Sequence, residues 1–195
     1  MQNRVLRFKS GLLVWCLMFL SSACSVTPVV PDEHYSRAAM LRFSELERWS
    51  FEGRLAFKGK NDSWSANISW EHSSEVEKIK LSGPLGQGSV VILLAGDGVT
   101  IDRGGGDVKS SAQAEEFINQ QLGMIVPVQS LRYWVTGLPE PSCSYKDTDV
   151  GFIQSGWLNE YKQMRSVNDR AMPYKMTVMN SQVKLKLIID HWVLQ

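Results

Sequence analysis

The chain has 195 residues, 44% of them hydrophobic, with 21 basic against 20 acidic side chains and a formal charge of +1. No basic stripe accompanies that balance, which argues against a nucleic-acid partner. Three cysteines and three histidines, none at ligand spacing, exclude a multi-disulfide scaffold and give no metal-site pattern.

Arg4, Arg7 and Lys9 precede the apolar run GLLVWCLMFLSSAC. This is a secretory signal layout, its apolar stretch too short to span a bilayer. A cysteine directly after Ser-Ser-Ala reads as a bacterial lipoprotein signal. Residues 1–23 are then removed, and Cys24 carries a covalent lipid (N-acyl and S-diacylglycerol). An incidental cysteine after a plain signal is the alternative, and Leu20 does sit one place earlier than the usual pattern. Ser25 is not the aspartate that favours inner-membrane retention in Gram-negative bacteria, so the expected location is the outer membrane, lipid-anchored and facing the periplasm. Cys16 leaves with the signal and Cys143 remains alone, so no intramolecular disulfide is expected.

Residues 24–35 contain SVTPVVPDEHY, with two prolines and no periodicity, and read as a flexible tether. Residues 36–195 read as a single domain. Met40, Phe43, Leu46 and Trp49 recur every three residues, which predicts a short amphipathic helix over 36–49. The period then becomes two. Phe51, Leu55 and Phe57 alternate with Glu52, Arg54 and Lys58, and Trp64, Ala66, Ile68 and Trp70 alternate with polar residues. Ile79 and Leu81 continue the pattern. The run VVILLA (90–95) is apolar on both faces and predicts a strand covered on both sides. The segment RGGGD reads as a turn between strands rather than a phosphate loop, because no helix follows it.

AEEFINQQLG and PVQSLRYWVTGLP read as helices, the second starting at Pro127 and stopping at Gly137. Strands return at 152–154, 157–164 and 173–179, and in QVKLKLIIDHWVL. The sum is about nine to eleven antiparallel strands and two helices, mainly β with helices (α+β). So long a sheet curls, and helices against its concave side leave an apolar cavity where they do not fill it.

Catalytic chemistry is not evident. His34 lies in the tether, His72 in an expected turn, and Asp190 and His191 on opposite faces of an expected strand. No histidine is placed to activate Cys143. Six tryptophans follow the signal, and with the methionines they suit an adaptable apolar surface, although core packing serves any one of them equally well.

Several segments together, namely ACSV, SWE, GPLG, MIVPVQSLRYWVTGLP and the tail MPYKMTVMNSQVKLKLIIDHWVLQ, resemble the LolB family of outer-membrane lipoproteins. The run P-x-x-S-L-R-x-W-x-x-G-L-P is its most specific part. The resemblance implies an incomplete, half-open antiparallel β-barrel with a helical lid around an apolar cavity. It implies acceptance of lipoproteins from the periplasmic carrier LolA, shielding of their acyl chains, and insertion into the inner leaflet of the outer membrane, by a monomer that is not an enzyme and needs no metal. A lipid-tethered module for other lipids is the alternative. The family has an exposed leucine on a protruding loop, and Leu85 in GPLG falls on that position, which implies a role in membrane insertion and acyl-chain delivery. Ile68, Trp70, Val90, Ile92, Leu94 and Trp134 are the candidate cavity-lining residues. Val91 and Leu93 replace the β-run candidates if its parity is reversed. Arg132 is a candidate partner for the polar end of a cargo.

Overall fold

The period-two segments do become strands, hydrogen-bonded to their neighbours in sequence except across the helices, with one long-range pairing in addition. A computed structural model of the chain describes residues 34–37, 46–83, 86, 88–122 and 126–195. Its strands are β1 (Trp49–Lys58), β2 (Ser63–His72), β3 (Val76–Ser82), β4 (Ser89–Ala95), β5 (Gly98–Asp102), β6 (Val108–Ser111), β7 (Tyr145–Thr148), β8 (Gly151–Gln154), β9 (Trp157–Val167), β10 (Arg170–Met179) and β11 (Lys184–Leu194). Two helices, α1 (Ala114–Leu122) and α2 (Val128–Trp134), stand between β6 and β7.

All eleven strands form one antiparallel sheet in the order β6-β5-β4-β3-β2-β1-β11-β10-β9-β8-β7. The long-range pairing is β1 with β11. The edges β6 and β7 do not pair with each other, so the sheet is open. The helix-bearing segment between them therefore runs from one edge of the sheet to the other.

Alternation decides which face is buried. In β1 the residues Trp49, Phe51, Leu55 and Phe57 are buried while Glu52, Arg54 and Lys58 are exposed. In β4 Ile92 and Leu94 are buried and Val90 half-buried on the core face. Leu93, on the other face, is 38% exposed. The expectation that β4 is covered on both sides is therefore corrected: its outward neighbours across the ladder are Lys78 and Thr100, and Leu93 lies at the surface between them.

Three further expectations change. Trp49 opens β1 rather than closing a helix, and most of the helix expected over 36–49 lies outside the described residues. Strands β9 and β10 reach Val167 and Arg170, well beyond the expected ends, because Asn168 and Asp169 both take positive φ (50° and 59°) and form a two-residue hairpin turn. Asp190 and His191 are both exposed and do not alternate. The register shifts there, with Glu52 opposite His191 but Gly53 opposite Ile189, so Asp190 is the extra residue of a β-bulge. Gly53 permits this close approach: a Cβ at that position would lie 2.2 Å from the carbonyl oxygen of Ile188.

The RGGGD segment joins β5 to β6 as a turn, with the Arg103 amide donating to the Asp107 carbonyl (3.0 Å) and the Gly104 amide to Asp102 Oδ1 (2.7 Å). The tryptophans are held by specific partners rather than left adaptable. Trp49, Phe51, Trp70 and Trp192 form one aromatic cluster with ring centroids 5.1 to 6.0 Å apart. Trp192 Nε1 donates to the Pro173 carbonyl at 2.8 Å.

Candidate functional site

Four adjacent strands, β2, β1, β11 and β10, contribute Ile68, Trp70, Leu55, Leu185, Leu187, Met176 and Val178 to the wall of a single apolar cavity. The outer two of four adjacent strands in a flat sheet would be separated by roughly 14 Å, too far to share a small cavity. The sheet is therefore curved, and the cavity lies on its inner side. Leu131 and Val135, from α2 and the residue after it, close the wall opposite the strands. Every lining residue is hydrophobic. The cavity measures about 30 Å³, room for about one water molecule and not for an acyl chain.

The sequence places α2 over this space by two devices. Pro127 precedes its first turn, and its carbonyl accepts from the Leu131 amide at 2.9 Å. At the other end Gly137 (φ 89°) donates to the Trp134 carbonyl and the Leu138 amide to the Tyr133 carbonyl, the paired bonds that terminate a helix on a left-handed glycine.

The C-terminal end of α2 is bound to β8 and β9. Trp134 is fully buried, and its Nε1 donates to Gln154 Oε1 at 2.8 Å. Gln154, itself buried, also accepts from the Glu140 amide and donates to the carbonyls of Glu140 and Cys143 at 2.8 and 2.9 Å. Tyr161 Oη donates to the Trp134 carbonyl at 2.7 Å. Tyr35 stacks on Tyr161 with centroids 4.5 Å apart and donates to the Gly137 carbonyl. Burial pushes the Tyr35 phenol up to about 12 and raises that of Tyr161 well above its ordinary value. Glu140 is held below the usual carboxylate range by hydroxyl donors from Ser130 and Ser142.

A second contact is ionic, made by Arg132 in the last turn of α2, whose Nε folds back to donate to the Gln129 carbonyl at 3.1 Å. Glu77 on β3 points into the core, its side chain 8% exposed. Trp70 Nε1 donates to its Oε2 and His72 Nδ1 bonds its Oε1, both at 2.6 Å. The guanidinium of Arg132, on α2, stands 3.6 Å from Oε1. His72 is thus the last residue of β2 with a carboxylate partner, not a turn residue. Beside this cluster a polar cleft of about 300 Å³ opens between the turns after β2 and β4 and the first turn of α2, lined among others by Glu75, Glu77, Asp97 and Arg132.

Of the candidate cavity residues, Ile68 and Trp70 lie in the apolar wall. Val90 and Ile92 are on the same face of the sheet further along it, and Leu94 borders the polar cleft. Trp134 sits at the β8–β9 end of α2, while Leu131 and Val135 meet the cavity. Arg132 faces Glu77. Leu85 and Cys24 lie outside the described residues. Glu77 and Gln154 carry the polar contacts of α2 and escaped the sequence reading, yet strand parity points to both. Each stands two residues from a buried apolar side chain on its own strand, Ile79 and Phe152. Among the described residues no three His, Cys, Asp or Glu side chains cluster as metal ligands.

The sequence profile of the family described as outer membrane lipoprotein LolB matches residues 47–192, which spans both helices and all of the sheet but the last two residues of β11. An outer-membrane lipoprotein LolB from Marinomonas sp. is 31% identical over 183 residues, covering 90% of this chain and 93% of the relative. Another from Nitrosococcus oceani is 32% identical over 157 residues, 77% of this chain and 78% of the relative. Among solved structures, a LolA superfamily protein from Nitrosomonas europaea overlays with a TM-score of 0.49 at 6% identity, covering 80% of this chain and 90% of that one. That likeness is too slight to carry a functional reading, which rests on the family match.

Proposed function

The chain belongs to the LolB family of outer-membrane lipoproteins, and from that premise we propose that it accepts a lipoprotein from the carrier LolA, holds its acyl chains between α2 and the curved sheet, and releases them into the outer membrane. The observation that carries this reading is the family match over residues 47–192, which includes every residue lining the apolar cavity. Shielding is the physical task. Each acyl CH2 removed from water is worth about 0.8 kcal/mol, so several long chains cannot cross an aqueous compartment bare. No nucleotide-binding motif supplies energy, and transfer runs down an order of affinities from carrier to this chain to bilayer. Neither catalysis nor a metal takes part.

The closed cavity sets a condition on this mechanism. A space of about 30 Å³ admits an acyl chain only if α2 moves. The helix acts as a lid retained by Trp134, Gln154 and Tyr161 and released at the Arg132–Glu77 contact. Cys24 carries the lipid that tethers the chain to the outer membrane. Leu85 perturbs the lipid surface during delivery. Burying one leucine is worth about 1.5 to 3 kcal/mol, too little to anchor a protein but enough to act locally.

Size-exclusion chromatography after mixing LolA–lipoprotein complex with the chain tests the reading. Lipoprotein is expected to leave the carrier fraction and elute with the chain, and retention on the carrier would overturn the proposal. Leu85→Glu is expected to preserve this acceptance while slowing delivery to liposomes. Equal delivery by both proteins would remove the role given to Leu85.

A further inference from the structure

Around β1 and β11 the outer face of the sheet divides its charge along the strands, while Glu160 on β9, level with Lys186 through Thr177, pairs with Lys162. Lys58 on β1 lies directly opposite Lys184 on β11, and Lys186 follows on the same face opposite Ala56. Lys60 stands exposed in the adjoining β1–β2 turn. No ion pair joins Lys58, Lys60, Lys184 or Lys186 to an acidic side chain among the described residues. The nearest acidic neighbour in sequence is Asp62 for Lys58 and Lys60, and Asp190 for Lys184 and Lys186. Toward the opposite end of the strands the outer face carries acid, with Glu52 on β1, Glu71 on β2 and Asp190 on β11, the last two bonded to Lys78 and Arg54.

Like charges directly opposite each other in a ladder destabilise it. Lysines on a sheet commonly guard an exposed edge, but β1 and β11 are interior strands, the sixth and seventh of the eleven, so edge protection does not account for them. Their position along the strands is informative. The pairs Lys58↔Ser63, Ser82↔Ser89 and Met179↔Lys184 close the β1–β2, β3–β4 and β10–β11 connections at one end of the sheet. The lysines thus gather at the end from which the β3–β4 connection leaves.

We propose that Lys58, Lys60, Lys184 and Lys186 form a docking face for an anionic phospholipid surface, which sets this end of the sheet against the bilayer during delivery. The inference rests on the reading of the chain as a protein that hands acyl chains to a membrane, and adds to it an orientation and a lipid chemistry. Lysines near an anionic bilayer each strengthen binding by about fivefold at low salt, and screening removes the effect.

Lysine acetylation read by mass spectrometry, on the full chain bound to vesicles, tests this. The vesicles are phosphatidylcholine alone or phosphatidylcholine mixed with phosphatidylglycerol, at low and high salt. Expected is acetylation about fivefold slower at Lys58, Lys60, Lys184 and Lys186 only with phosphatidylglycerol at low salt, with Lys78 and Lys146 unchanged. Equal labelling on both vesicles, or protection that survives high salt, overturns the proposal. So does protection by loaded LolA without vesicles, which would make the face a protein-docking surface. A double variant, Lys58→Glu with Lys184→Glu, is expected to slow delivery to phosphatidylglycerol vesicles several-fold and leave acceptance from LolA unchanged. Because labelling is read without cargo, normal transfer with unprotected lysines sinks this inference alone, whereas failed acceptance sinks the functional reading.

Discussion

In the last turn of α2 two residues are held differently: Trp134 by uncharged, buried hydrogen bonds, and Arg132 by a guanidinium 3.6 Å from a carboxylate. The first arrangement excludes water and uses nearly every donor and acceptor of Trp134, Gln154 and Tyr161. The second leaves Arg132 with a side chain 35% exposed, where solvent competes for it. The contrast teaches that two residues of one helical turn can be held by contacts of very different strength. In the mechanism proposed above, stability rests on Trp134 and release on Arg132, within one seven-residue element.

The largest expected effect is at the buried contact. Trp134→Ala removes a fully buried ring and is expected to cost about 3 to 5 kcal/mol in denaturant unfolding. A loss below 1 kcal/mol would mean that this contact is not the anchor. Tyr161→Phe is milder, about 1 kcal/mol, because the Trp134 carbonyl keeps the Gly137 amide as donor. The same variant has a pH signature. Tyr35 and Tyr161 have folded pKa values above the unfolded one, so their contribution is full below pH about 10 and is lost as pH rises, for Tyr35 by about 12. Stability measured against pH is expected to fall over that alkaline range in the parent chain, and less steeply in Tyr161→Phe.

The smallest effect on stability is expected at the ionic contact. Arg132→Ala is expected to change it by less than about 1 kcal/mol, since Glu77 keeps two closer partners at 2.6 Å. Uptake of a fluorescent fatty acid is nevertheless expected to accelerate several-fold in stopped-flow measurements. Unchanged uptake would erase the distinction between the two contacts.

Much of this architecture was legible from alternation and punctuation. The polar and apolar residues of β1, β2 and β11 mark the buried face, and Pro127 and Gly137 bracket α2. The parity of the apolar run in β4 was not legible, because both faces carry similar side chains and only the Lys78 and Thr100 neighbours decide it. The bulge at Asp190 escaped for a related reason: one inserted residue leaves no compositional trace, and the space that requires Gly53 belongs to the partner strand. Glu77 escaped because a carboxylate on a core face breaks the pattern used to find the core. Its inward direction follows only by counting back from Ile79. The size of the cavity depends on how Leu131 and Val135 settle against distant strands, which no local pattern encodes.

The unpaired margins of the sheet, β6 and β7, allow the interior to change size without unzipping a ladder. A closed barrel can swell only by shearing strands past one another. Here the seam is bridged by a helical strap, and lifting that strap trades side-chain contacts for room. On the function proposed above, uptake of an acyl chain then leaves the main-chain hydrogen bonding between strands as it is.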